Sequence, residues 1–159
     1  MSPEVDVLWD RDDAEDDELI HLMVRRGEAL MDAAKVAHRT LSVVLTDDPR
    51  IAEANSQWRG IDRPTDVLSF PMDEGELLDS GGAPDPLGDV VISLETATRQ
   101  AADHDLSVAQ EVTFLLIHGF CHLLGHDHGE PEEAAAMRAE EDRLLAIVDP
   151  DLPRPPTPY

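Results

Sequence analysis

Residues 107–125, "SVAQEVTFLLIHGFCHLLG", constrain this chain more than any other stretch. Ser107 followed three residues on by Gln110 is the signature of a capping box, and Gly125 suits the left-handed turn that closes a helix. The segment between them is mostly apolar, so both ends and the character of one helix are legible at once. That helix carries His118 and His122. Four residues is about one helical turn, so both imidazoles leave the same face at neighbouring heights. A turn directly after Gly125 lets His128 fold back toward the same point. The spacing H-x3-H-x5-H therefore predicts a metal site at the end of a helix, with three histidine ligands and a fourth position open for water. Zinc suits neutral imidazoles; nickel, copper and iron accept them too.

The rest of the chain supplies a sheet for that helix. "EVDVLW" (4–9), "LSVVLTDD" (41–48), "DVLSFPM" (66–72) and "DVVIS" (89–93) read as strands. Helices are expected over 15–38, from Pro49 to about Arg59, from a Ser93 cap to about Ala102, and from Pro131 to about Val148. The Gly-, Pro- and Asp-rich run 73–88 reads as a loop. Strands and helices alternate only in part. The expected fold is α+β, a single domain with a mixed sheet of about four strands packed with about five helices. It should occupy residues 1–148, with the proline-rich stretch 149–159 as a flexible tail.

Composition narrows the partners. The 159 residues carry a net charge of −23, which argues against broad attraction to nucleic acid or to an anionic membrane. No apolar run is long enough to span a membrane, the single cysteine excludes an internal disulfide, and the N-terminus lacks the design of a signal peptide. A cytoplasmic protein is expected. The acid runs at 10–18 and 130–142 read as solvated helix faces. Of the remaining histidines, His21, His38 and His104 read as surface or satisfied core residues, and His126 and Asp127 as turn residues, with Asp127 a candidate for orienting a ligand. Cys121 reads as packed core, and Met137 as part of a helix.

Gly119 decides the chemistry. It stands where metal-dependent proteases of the H-E-x-x-H type carry the glutamate that takes a proton from water and delivers it to the leaving amine. Glycine can do neither, so peptide hydrolysis is disfavoured. A phosphodiester builds its charge on non-bridging oxygens, where a metal and an arginine can meet it. Glu111, on nearly the same face two turns before His118, is available as a base, but reads first as an acid favoured by the helix dipole.

"HGFCHLLGHDH" (118–128) resembles the signature of the YbeY family of metal-dependent bacterial endoribonucleases. "NSQWRGIDRPTDVLSFP" (55–71) resembles the family's arginine-bearing segment, and "LGDVVIS" (87–93) one of its strands. The resemblance implies one zinc ion on His118, His122 and His128, and a functional arginine in the pocket, carried onto Arg59. It implies cleavage of single-stranded RNA, not DNA, at the 3′ end of small-subunit rRNA and in ribosome quality control. The implied partners are the small ribosomal subunit and the Era GTPase. Arg63 and Arg99 are weaker candidates for a phosphate track beside Arg59. Two other readings stay open: a ribosome-assembly protein whose metal is chiefly structural, and a metal hydrolase of another bond. A charge of −23 is severe for an RNA enzyme, since RNA affinity rests largely on neutralised phosphates. The expectation is weak intrinsic binding, with a partner delivering the substrate.

Overall fold

The computed structural model describes residues 3–72 and 85–155. Among them lie four strands and five helices: β1 (Glu4–Trp9), α1 (Asp17–Ala33), β2 (Arg39–Thr46), α2 (Asp48–Arg59), β3 (Val67–Pro71), β4 (Asp85–Ser93), α3 (Leu94–His104), α4 (Val108–Leu123) and α5 (Pro131–Val148). The fold is α+β, as the alternation predicts. The strands lie in the order β1-β2-β4-β3, with β1, β2 and β4 parallel and β3 antiparallel to β4.

The period-two pattern of the strands sorts the side chains. Val5, Val7 and Trp9, Leu41, Val43 and Leu45, and Val90 and Ile92 join the core, while Asp6 and Leu8 between the first three, and Asp89 just before Val90, are exposed. Helix α1 packs on β1, α4 on β3 and β4, and α5 closes over α1 and α4. Helix α4 is central: eleven of its residues are buried, including Leu116, Ile117 and Phe120. No single helix among the described residues is long and apolar enough to cross a membrane.

Local chemistry sets the ends. The carboxylates of Asp16 and Asp47 and the hydroxyl of Ser93 accept from the backbone N–H groups of Leu19, Arg50 and Thr96. Ser107 and Gln110 form the full capping box. Helix α1 stops at Ala33, short of the expected residue 38, because Lys35 turns left-handed (φ 61°). Strand β2 ends at Thr46, since Asp47 leaves the sheet to cap α2.

Two other expectations need correction. Strand β4 begins at Asp85, so residues 85–88 are strand and not loop; residues 73–84 lie outside the described residues. Pro86 and Gly88 are accommodated because the register with β2 slips between Thr40 and Leu41, and a bulge admits residues that a regular ladder rejects. A Cβ at Gly88 would stand 2.4 Å from the Phe70 carbonyl oxygen, so only glycine fits. The stretch after α5 also packs, at least to Pro155. Leu152 joins the core, Pro155 is buried, and Arg154 reaches back to α5. Its prolines predict extended backbone, but one buried leucine and one paired arginine tie it down.

Candidate metal centre

The last turns of α4, and the loop that follows, place His118, His122 and His128 together. One ligand atom from each lies within 4.8 Å of the others, and the ring centroids are 4.9–5.7 Å apart. Gly125, at φ 99°, makes the turn that returns His128 to the helix end.

The partners of the rings decide which nitrogens face inward. His118 Nδ1 lies 2.7 Å from Glu141 Oε2, and His122 Nδ1 lies 2.9 Å from the His126 carbonyl oxygen. A carbonyl only accepts, so Nδ1 of His122 carries the proton; a carboxylate favours the same tautomer in His118. Both Nε2 lone pairs are thereby left to the cluster. Burial, with the neighbouring imidazole of His118 adding to it, pushes the His122 pKa below the usual histidine value. A neutral donor results, and the donor set fits a divalent transition metal.

Glu141 is fully buried, on α5. Arg154 Nη2 stands 3.1 Å from its second oxygen, close enough for an ion pair though not aligned as a hydrogen bond. The reading of 130–142 as a solvated face misses this residue. A signal was present: Glu141 recurs at helical spacing with Met137, Leu144, Leu145 and Val148, all buried. An acid on an apolar stripe needs a partner.

Gly119 faces the sheet. A Cβ there would meet Val90 Cγ1 at 2.7 Å and Val67 Cγ2 at 3.2 Å, while the Gly119 carbonyl accepts from the Ser69 hydroxyl at 3.0 Å. Close packing of α4 on β3 and β4 excludes any side chain, and with it a glutamate, from this position.

An open cavity of about 840 Å³ runs past the histidines. Trp58, Arg59 and Phe70 line it, as do His104, Glu111 and Phe114. Arg59 is the last residue of α2, and it is exposed with no hydrogen bond or ion pair to another described residue. Arg63 and Arg99 are not on this cavity. Arg63 is exposed in the loop after α2, where its carbonyl accepts from Asn55 at 2.9 Å. Arg99 pairs with Asp48 at 2.9 Å and lines a separate depression beside Trp9 and Arg11. His104, read from sequence as a surface or satisfied core residue, and Glu111, read first as an acid favoured by the helix dipole, meet on the cavity wall: His104 Nδ1 lies 2.7 Å from Glu111 Oε1, and Glu111 is 1% exposed. Asp127 accepts from the His128 backbone N–H at 2.8 Å and so shapes the turn. Cys121 is buried in the core, where burial above all, with Glu141 adding to it, raises its pKa and keeps it a thiol.

An α+β domain whose three convergent histidines line an open cavity belongs to the class of proteins that could hold a metal ion there. Residues 8–149 match the family model described as Endoribonuclease YbeY, and the chain belongs to that family. It is 44% identical over 137 residues to a protein named Endoribonuclease YbeY from Pelotomaculum thermopropionicum, covering 86% of this chain and 90% of that one. A second, from Brevibacillus brevis and of the same name, is 41% identical over 153 residues, covering 91% and 96%. The solution structure of TM1509 from Thermotoga maritima shares the fold, with a TM-score of 0.61, 23% identity and coverage of 91% and 88%.

Proposed function

We propose that this protein is a metal-dependent endoribonuclease that cuts single-stranded RNA, with His118, His122 and His128 holding one zinc ion and Arg59 acting on the scissile phosphate. The observation that carries the reading is the pairing, on one cavity, of three histidines that could hold a cation with an arginine that has no hydrogen bond or ion pair among the described residues. A bound zinc ion supplies Lewis-acid chemistry at a phosphoryl oxygen. Glu141 and the His126 carbonyl hold the imidazoles in one tautomer, so no reorganisation accompanies binding. The Arg59 guanidinium donates to non-bridging oxygens and stabilises the charge that gathers on them in the transition state. Gly119, which bars a protease-type glutamate, is compatible with this reaction and not with peptide hydrolysis.

By the family's pattern the substrate is the 3′ end of small-subunit rRNA, in the cytoplasm, with the small ribosomal subunit and the Era GTPase as partners and a role in ribosome quality control. The charge of −23 supports delivery of the RNA by such a partner, since the protein surface attracts little RNA by itself.

The test is cleavage of an end-labelled single-stranded RNA by zinc-loaded protein, by chelator-treated protein, and by the latter resupplied with zinc. Internal cuts that vanish with the chelator and return with zinc are expected. Cutting that persists in full without metal would refute the metal-dependent reading; no cutting of free RNA or of whole small subunits would refute the nuclease.

A further inference from the structure

Trp58 is the most exposed large apolar side chain among the described residues, at 66%, and of the three in that class it alone lines the histidine cavity. An isolated exposed apolar residue means little. Here the setting gives it meaning. Trp58 immediately precedes Arg59 in the last turn of α2. The end of that helix is fixed: Gly60 caps it at φ 71°, and the buried Asn55 side chain donates to the Arg63 carbonyl. The indole meets the edge of Phe70 on β3, with centroids 6.1 Å apart and planes at 67°. It is thus anchored on one side and open on the other.

Electrostatics sharpen the point. Among the described residues that line the cavity, Arg59 is the only arginine and there is no lysine, whereas Asp66, Glu111 and Asp127 are acids. Phosphate neutralisation by side chains therefore contributes little affinity. Stacking on an aromatic face is insensitive to salt and accepts any base, because every base has a π-face. It also rejects a duplex, whose bases have no free face.

We infer that Trp58 is the platform on which an unpaired nucleobase stacks, one step along the strand from the phosphate gripped by Arg59. This rests on the endoribonuclease reading and assigns its single-strand preference to one side chain. The site takes a nucleobase of any identity in a flexible single strand.

Two measurements on the intact, zinc-loaded protein test it. In a Trp9→Phe background, where Trp58 is the sole tryptophan, single-stranded RNA mixed rapidly should quench the fluorescence saturably, and a duplex of the same sequence should not. In steady-state cleavage, Trp58→Ala should raise KM by about 5- to 100-fold with kcat nearly unchanged, and Trp58→Tyr should restore most of the loss. Binding should fall only shallowly with salt, as for one or two phosphate contacts. Equal quenching by duplex, no quenching at RNA concentrations that saturate cleavage, or an unaltered KM in Trp58→Ala would overturn the inference and leave the nuclease standing. Wild-type protein that quenches with single strands but cuts no RNA would uphold the platform and remove the nuclease.

Discussion

The histidine wall of the cavity brings its partners with it; the arginine wall does not. His118 leans on Glu141, and Glu141 on Arg154; His122 leans on the His126 carbonyl. Arg59, which lines the same cavity, has no hydrogen bond or ion pair among the described residues, and Trp58 meets the edge of Phe70 with most of its surface exposed. Arg99 sharpens the contrast, since it stands on α3 with its charge already spent on Asp48. The difference matches the two ligands proposed. A resident ion rewards ligands locked in advance by buried hydrogen bonds. A substrate that comes and goes is better met by exposed groups that lose little on release.

The largest effect expected is at the metal. His122→Ala removes one of the three proposed ligands, and the folded variant should lose stoichiometric zinc, measured by chelator competition, together with metal-dependent RNA cleavage. Next is its support. Glu141→Ala leaves His118 and Arg154 without their shared partner and should cost about 3–5 kcal/mol of stability, as when one member of a buried pair is removed. Zinc affinity should fall by about 10- to 100-fold; denaturant midpoints and zinc titration would check the two. An unchanged zinc affinity would mean that the histidine wall needs no second layer.

Gly119→Ala probes packing alone. Its Cβ would strike Val90, so a loss of about 1–3 kcal/mol is expected in chemical denaturation, with zinc content preserved.

The smallest effect concerns Asp48, the residue that occupies Arg99. Burial raises its pKa, but hydrogen bonds from Ser93, Thr96 and Arg99 outweigh burial and hold it below the usual carboxylate value. The folded state thus favours the ionised form. That stabilisation is complete above the unfolded pKa and disappears as pH falls through the lowered folded value. The stability gap between wild type and Asp48→Asn should be constant near neutral pH and close in acid, followed by urea midpoints against pH.

Much of this was legible in the chain. The capping box, the closing glycine and the histidine spacing are local, and local signals fix α4 and the histidine cluster at its end. The arginine of the cavity came from resemblance, because nothing near Arg59 in sequence distinguishes it from Arg63 or Arg99; only the fold separates one on the cavity from one beside it and one already paired. Glu141 was hidden inside an acidic run, though its period with Met137 and Leu144 marks it as inward. His104 and Glu111 meet across the turn between α3 and α4, and Arg154 reaches Glu141 from beyond α5. Contacts of that kind depend on how helices are laid together, which residue patterns within a single helix do not encode.

The most direct test of the two-wall account is Arg59→Ala, measured for zinc content and RNA cleavage on the same sample. The account predicts one zinc ion per chain, as in wild type, with the single-turnover cleavage rate reduced by about a hundredfold or more. Cleavage at the wild-type rate, or loss of the zinc along with the arginine, would contradict it.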